Sequence, residues 1–114
     1  MSAIKHVPDE TFESHVLESE KPVLVDFWAE WCAPCRVLGP ILEQIHEEHD
    51  EIEIVKINID ENPAITRSYG ITSIPTMKLY KGGEVEKTII GAMSKTHLEQ
   101  EMGSFLRKAN KNGI

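Results

Sequence analysis

The stretch VLVDFWAEWCAPC, residues 23–35, decides the fold because it joins a strand pattern directly to the start of a helix. Residues Val23–Trp28 form a nearly continuous apolar run, which is typical of a central strand covered on both faces. From Ala33 onward a long helix is predicted by apolar residues at spacings of three and four: Val37, Leu38, Ile41, Leu42 and Ile45. Two cysteines, Cys32 and Cys35, therefore lie where the strand leads into the helix.

The segment before this stretch predicts one short strand and one helix. Residues Ala3–Val7 alternate between apolar and polar side chains, as a strand does. Asp9 then stands where it can cap a helix over about residues 9–18. That helix places three apolar side chains on one face: Phe12, Val16 and Leu17.

The segment after the long helix predicts a strand, a helix and a hairpin. Residues Ile52–Ile59 are rich in β-branched side chains and predict a second core strand. A shorter helix fits Pro63–Tyr69. Two further strands, Thr76–Tyr80 and Glu84–Ile90, flank a Lys-Gly-Gly turn. We expect them to pair antiparallel, because glycines accept the positive φ angles of tight turns.

Two more helical features are expected. Residues Thr96–Lys108 fit a last helix, in which Thr96 and Glu99 can form a capping box. Its core-facing side chains are Leu98, Met102, Phe105 and Leu106. Pro40 should kink the long helix, because proline removes one backbone donor and crowds the preceding turn.

The order of the elements, β-α-β-α-β-α-β-β-α, predicts an α/β fold with a mixed sheet of about five strands and helices, about four of them, on both faces. The chain has 114 residues, of which 40% are hydrophobic, enough for one compact core and too few for two ordinary domains. We therefore expect a single domain over residues 1–109 and a short frayed tail over 110–114.

The net charge of the chain limits which kinds of partner it can bind. Twelve Lys and Arg against 19 Asp and Glu give a formal charge of −7, which repels phosphate backbones and anionic lipid. Neither nucleic acid nor a membrane is an expected partner, and the longest apolar run, Val23–Ala29, falls short of the roughly 20 residues of a membrane span. Because the N-terminal residues lack the apolar core of a signal peptide, we expect a cytoplasmic protein. We also expect a monomer.

The spacing of the cysteines indicates redox chemistry. The first turn of a helix exposes backbone N–H groups and the positive end of the helix dipole, which favour a thiolate at Cys32. Cys32 is then a nucleophile that can attack a disulfide and form a mixed disulfide. Cys35 follows on the same helical face, where it can resolve that intermediate. Pro34 suits the first turn, where its missing N–H loses little.

A zinc site is the alternative for such a pair, because His46 and His49 follow at a spacing close to that of a zinc finger. If a single helix holds residues 33–49, however, Cys35 and His46 are separated by about 16 Å of helical rise. That distance is too long for two ligands of one ion. No metal site and no bound cofactor is therefore expected.

Other residues of the stretch and its neighbours are candidates for the site. Asp26 lies in an apolar strand, where burial should raise the pKa of its carboxyl group, and a buried acid near Cys35 is a candidate proton acceptor. A hydrogen-bonded structural carboxylate is the alternative. Lys56 can pair with Asp26 across neighbouring strands, or it can simply be solvated. Of Trp28 and Trp31, we expect one in the core and the other over the site, where aromatic surface suits protein substrates.

With these residues laid out, nearly the whole chain resembles the bacterial-type thioredoxin family. The matching segments are Val25–Cys32, Pro40, Lys56 with Asn58–Asp60, Ile74–Thr76, Gly82–Val85 and Gly91-Ala92. One residue departs from the family's pattern: Ala33 stands where glycine is usual. Alanine favours a helix over glycine by about 1 kcal/mol and carries no polar group, so we expect a small effect on the thiolates.

The resemblance implies the thioredoxin fold and a protein-disulfide reductase with Cys32 as nucleophile, Cys35 as resolving thiol and Asp26 as the base for Cys35. It also implies a cis Pro75 against the disulfide, which leaves the Ile74 backbone free to pair with an extended substrate. The implied substrate surface is small and apolar: Trp28, Trp31, Ala33, Pro34, Ile74, Pro75, Gly91 and Ala92. Electrons would come from NADPH through thioredoxin reductase, and the other partners would be disulfide-containing proteins.

Two other functions stay open. Some family members act as redox-independent binding subunits of larger complexes, through the same apolar surface. Related proteins oxidise or isomerise disulfides, but these typically carry a histidine between the cysteines, where this chain has Ala33 and Pro34. The sequence therefore favours a reductase.

Overall fold

A five-stranded sheet lies at the centre of the computed structural model, which describes residues 4–106. The strands are Lys5–His6 (β1), Val23–Trp28 (β2), Glu53–Asn58 (β3), Thr76–Lys81 (β4) and Glu84–Ile90 (β5), in the order β1-β3-β2-β4-β5. Strands β1, β3 and β2 run parallel, whereas β4 is antiparallel to both β2 and β5. The sheet is mixed, so the predicted fold class is confirmed.

Helices cover both faces of the sheet. The three α-helices are Ala33–Glu48 (α1), Pro63–Ser68 (α2) and Lys95–Met102 (α3). Short helical turns at Asp9–Thr11 and Glu13–Leu17 precede β2, and another at Gly103–Phe105 follows α3. Within residues 4–106, no helix combines the length and the apolar character needed to cross a membrane.

The central strand β2 is apolar on both faces because both faces are covered. Leu24 belongs to a buried cluster with residues of α1 and α3, among them Leu38 and Leu98. Val25 points the other way and packs with Phe12 and other residues of the N-terminal turns. Since alternate residues of a strand share a face, Asp26 and Trp28 lie on the face that α1 covers.

The first predicted helix forms as two short helical turns, and Asp9 does not cap it. No side chain caps the turn that begins at Asp9. The Asp9 carboxylate instead accepts hydrogen bonds from the N–H groups of Ala64 and Ile65, at 3.3 and 3.1 Å, in the first turn of α2. In return, the Asp9 N–H donates to Oδ1 of Asn62 at 2.9 Å. Asp9 bonds to α2 because the first N–H groups of that helix have no partner within the helix, and they attract a carboxylate from any segment that reaches them.

The long predicted helix is present as α1, with Pro40 inside it. Within its apolar pattern Leu38, Leu42 and Ile45 are buried, whereas Val37 is 64% exposed. The kink at Pro40 stays a prediction.

The last helix begins earlier than predicted. Its N-cap is Ser94, whose Oγ accepts a hydrogen bond from the His97 N–H at 3.1 Å, so the predicted capping box of Thr96 and Glu99 is wrong. The side chain of Ser94 reaches the free N–H three residues on, as an N-cap does.

The last α-helix also ends earlier than predicted. It stops at Met102, where Gly103 adopts a φ of 56° that interrupts the helix. Leu98 and Met102 are buried as predicted, and Phe105 and Leu106 pack against the same core. Residues 107–108 of the predicted helix and the tail at 110–114 lie outside the described residues.

Candidate functional site

The cysteine pair lies at the N-terminus of α1. Cys32 is the N-cap residue with an extended backbone, and Cys35 lies in the first turn. The two side chains form a disulfide, so the structure represents the oxidised protein. The backbone N–H of Cys35 donates to Sγ of Cys32 at 3.2 Å. In the reduced protein, this donor and the positive end of the helix dipole favour a thiolate at Cys32.

Both cysteines are shielded from water. Cys32 is 5% exposed and Cys35 is 3% exposed, and both pack with buried Ala29. Half-buried Trp28 and Ile74 pack against the same cluster. Since the exposures differ so little, the position of Cys32 at the helix N-cap is what distinguishes the two sulfurs.

Asp26 is fully buried in β2, and neither of its carboxylate oxygens has a hydrogen-bond partner among the described residues. Burial raises the pKa of Asp26 to about 7, and the positive charge of Lys56 partly opposes that rise. A carboxyl group with this pKa can exchange a proton near neutral pH. The alternative from the sequence, a hydrogen-bonded structural carboxylate, has no donor among residues 4–106.

Lys56 is the register partner of Asp26 on the neighbouring parallel strand β3. It makes no hydrogen bond to Asp26, because both carboxylate oxygens are unpartnered. Its ammonium nitrogen lies 4.6 Å from the centroid of the Trp28 ring. Lys56 is therefore neither fully solvated nor directly paired with Asp26, the two arrangements considered from the sequence.

The two tryptophans differ in exposure. Trp28 packs half-buried beside the cysteines, whereas Trp31 is 67% exposed. The indole Nε1–H of Trp31 donates to Oδ2 of Asp60 at 2.9 Å, and the Asp60 N–H donates to Oδ1 of Asn58 at 2.8 Å. The sequence did not indicate this support from Asp60, which comes from a loop 29 positions away.

The loop before β4 completes the site. The Ile74–Pro75 peptide bond is cis, and the carbonyl of Pro75 accepts a hydrogen bond from the Gly91 N–H at 2.8 Å. This bond places Gly91 and Ala92 beside Pro75. Within the described part of the chain, the backbone of Ile74 makes no hydrogen bond, although its side chain packs against the cysteines.

The structure adds two exposed apolar residues to the predicted surface. Ile90, at the end of β5, is 63% exposed and pairs in register with Thr76. Val37 is 64% exposed and lies one helical turn beyond Ala33 and Pro34. For Val37, its spacing of four from Ala33 and three from Pro34 could have predicted a place on the same helical face. For Ile90, the strand pattern of residues 84–90 gave no indication of a surface role.

The geometry of α1 argues against a zinc site shared by the cysteines and histidines. Cys35 and His46 lie in the same helix, so about 16 Å of rise separates them. Elsewhere, Glu48, His49 and Glu99 bring one ligand atom each within 4.8 Å of one another. The Lys95 ammonium bonds both of these carboxylates, at 2.8 and 3.4 Å, and supplies their counter-charge.

Two cysteines that are bonded to each other at a helix N-terminus exchange electrons with other disulfides. With the mixed sheet that presents them, they define a thiol–disulfide oxidoreductase.

Comparison with known proteins agrees with this class. The family model described as Thioredoxin matches residues 3–104. A thioredoxin of Streptomyces clavuligerus is 62% identical over 83% of this chain and 89% of its own length. A thioredoxin of Acidithiobacillus ferridurans is 51% identical over 91% and 97%, and thioredoxin 1 of a Nostoc species is 47% identical over 93% and 100%. The chain therefore belongs to the thioredoxin family.

Proposed function

We propose that the chain reduces disulfides in other proteins, with Cys32 as the attacking thiolate and Cys35 as the resolving thiol. The observation that carries this assignment is the hydrogen bond from the Cys35 N–H to the Cys32 sulfur at the N-cap of α1. A sulfur in that position is held by a backbone donor and by the helix dipole, so its thiolate is favoured.

The reaction balances as two successive exchanges. The Cys32 thiolate attacks one sulfur of the substrate disulfide, the substrate S–S bond breaks, and the leaving thiolate takes a proton from water. Cys35 then loses its proton and attacks the Cys32 sulfur. The mixed disulfide breaks, the second substrate thiolate leaves, and two electrons have passed from the dithiol to the substrate.

Asp26 is proposed as the base that takes the proton from Cys35. Its burial and its pKa of about 7 support the role, because a base works best when its pKa lies near the working pH. Asp26→Asn should leave formation of the mixed disulfide nearly unchanged and slow its resolution by about a hundredfold. Equal slowing of both steps would argue against this role.

Substrates would dock on the apolar surface around the cysteines. Its proposed members are Trp28, Trp31, Ala33, Pro34, Ile74, Pro75, Gly91 and Ala92. The unused backbone groups of Ile74 support pairing with an extended segment of substrate, since such groups form a new strand edge. This mode of docking is tolerant of sequence, which suits a reductase with many substrates.

We also propose how the site is recharged. The only redox group needed is the Cys32–Cys35 disulfide, and electrons would reach it from NADPH through thioredoxin reductase. The reducing cytoplasm is the compartment that suits such a cycle.

An insulin-disulfide reduction assay, coupled to an NADPH-dependent thioredoxin reductase, tests the proposal. Wild type should turn over, and Cys32→Ser should be inactive. Cys35→Ser should instead trap a mixed disulfide with the substrate, visible on a non-reducing gel. Trapping by Cys32→Ser and not by Cys35→Ser would reverse the two roles. Absence of turnover in a folded wild type would favour a redox-independent binding subunit.

A further inference from the structure

The Lys56 ammonium lies between the Trp28 indole and the backbone of α1. Its nitrogen lies 4.6 Å from the Trp28 ring centroid, and a Cβ on Gly39 of α1 would lie 3.9 Å from the same nitrogen. The ion pairs within residues 4–106 do not include it. Within the described residues, the indole face is therefore the contact that attracts this cation, because a ring face attracts a cation electrostatically.

The register of the sheet connects this cation to the buried acid. His6, Lys56 and Asp26 lie side by side on β1, β3 and β2, so their side chains project from the same face of the sheet. Trp28 shares that face, and its ring meets the His6 ring at 5.8 Å. On the other side of Asp26 its partner is Met77, which carries no charge.

We propose that Trp28 is a positioning residue for the resolving step: it holds the Lys56 ammonium under α1, where the ammonium favours the ionised form of Asp26. The inference rests on the proposed role of Asp26 as the base. Asp26 has no hydrogen-bond partner among residues 4–106, so the charge of Lys56 is what opposes the effect of burial on its carboxyl group. Asp26 itself is fully buried, so this charge is less screened there than it would be between two groups at the surface.

Without the indole of Trp28, the Lys56 side chain can move into a neighbouring surface cavity. A surface cavity of about 270 Å³ is lined by His6, Lys56 and Asn58, among others, and a long flexible side chain gains entropy by entering it. The ammonium would then move towards water and away from Asp26. The titratable groups beside Asp26 on this face of the sheet are thus Lys56 and His6, and Cys35 of α1 does not titrate in the oxidised protein because it is disulfide-bonded.

A purely structural role for Trp28 predicts the opposite sign. If the indole only seals Asp26 from water, its removal lets water in and lowers the Asp26 pKa. If the indole holds Lys56, its removal raises that pKa. One titration therefore separates the two roles.

The experiment follows the Asp26 carboxyl carbon by NMR during a pH titration of the oxidised protein. Trp28→Leu should raise the midpoint by about 0.5 pH unit or more, and Trp28→Phe, which keeps a ring face, should raise it less. In a Lys56→Met background, Trp28→Leu should cause no rise. Trp31→Leu, which removes the exposed tryptophan, is the matched control and should leave the midpoint unchanged.

A lowered or unchanged midpoint in Trp28→Leu, or an equal rise in the Lys56→Met background, would overturn the inference. Should Trp28→Leu fail to fold, the same signs are required of Trp28→Phe. The pH profile of mixed-disulfide resolution then links position to rate. If the NMR midpoint moves as expected and the profile does not, the role of Asp26 as base fails while the positioning role of Trp28 stands.

Discussion

Two aspartates of this chain meet opposite surroundings. Asp9 is half-buried, and its carboxylate accepts two backbone N–H groups of α2. Asp26 is fully buried, and neither of its oxygens is bonded. The carboxylate of Asp9 therefore has hydrogen-bond donors, whereas burial destabilises the ionised form of Asp26. One carboxyl group joins two segments, and the other is the group that we propose as the base for Cys35.

The largest effect expected from this contrast is on the pH dependence of stability. Burial raises the pKa of Asp26 from an ordinary 3.8 to about 7. Between these values only the unfolded state ionises, so the wild type loses stability as pH rises, and the loss is complete above the folded pKa. Relative to Asp26→Asn, the oxidised wild type should lose on the order of 3 kcal/mol of unfolding free energy between pH 5 and pH 9.

Urea midpoints of the two proteins across this range measure the difference, provided that the m-value stays constant. The buried amide of the variant does not titrate, so its own cost does not change with pH. If the free energy of unfolding of the wild type stays constant or increases relative to that of Asp26→Asn as pH rises, Asp26 is a paired carboxylate. It would then not differ from Asp9 in the way described above.

A smaller effect is expected at the other aspartate. Asp9→Ala should lower the free energy of unfolding by about 2 kcal/mol at pH 7, because α2 loses two charge-assisted hydrogen bonds at its N-terminus. Asp9→Asn, which keeps an acceptor without the charge, should lose less. Urea denaturation measures both. The control is Glu10→Ala, which removes a neighbouring exposed charge and should stay within about 0.5 kcal/mol of wild type. Equal losses in Asp9→Ala and Glu10→Ala would mean that the cap contributes nothing.

The sequence predicted those features that depend on local spacing. The cysteine pair at a helix start, the central strand Val23–Trp28 and the burial of Asp26 all follow from residues within one or two turns of each other. The turn at Gly82 and Gly83 is equally local, and both residues have the expected positive φ.

Features that depend on distant segments could not be predicted. The partners of Asp9 lie 55 and 56 positions away, so its sequence signal was that of an ordinary local cap. The 64% exposure of Val37 depends on what packs against α1, which periodicity does not report. The contact between Lys56 and Trp28 requires the register of β2 and β3, and a shift of one residue would send Lys56 to the other face.

The smallest expected effect is on stability and concerns Gly39 of α1. This glycine lies next to the ammonium of Lys56, the cation that we propose acts on Asp26. A Cβ there would meet only the Lys56 nitrogen, at an ordinary contact distance of 3.9 Å, so alanine fits without moving the ammonium. Gly39→Ala should therefore raise the free energy of unfolding by about 0.5–1 kcal/mol through helix propensity, and it should leave the Asp26 titration midpoint unchanged. Gly70→Ala is the matched control: Gly70 has a φ of 64°, so the same substitution there should destabilise the protein. Urea denaturation and the carboxyl titration report the two effects separately. If Gly39→Ala destabilises the protein and shifts the Asp26 midpoint, then the Lys56 ammonium needs the space that glycine leaves at this position. Glycine would then lower the stability of the helix but keep the positive charge near Asp26.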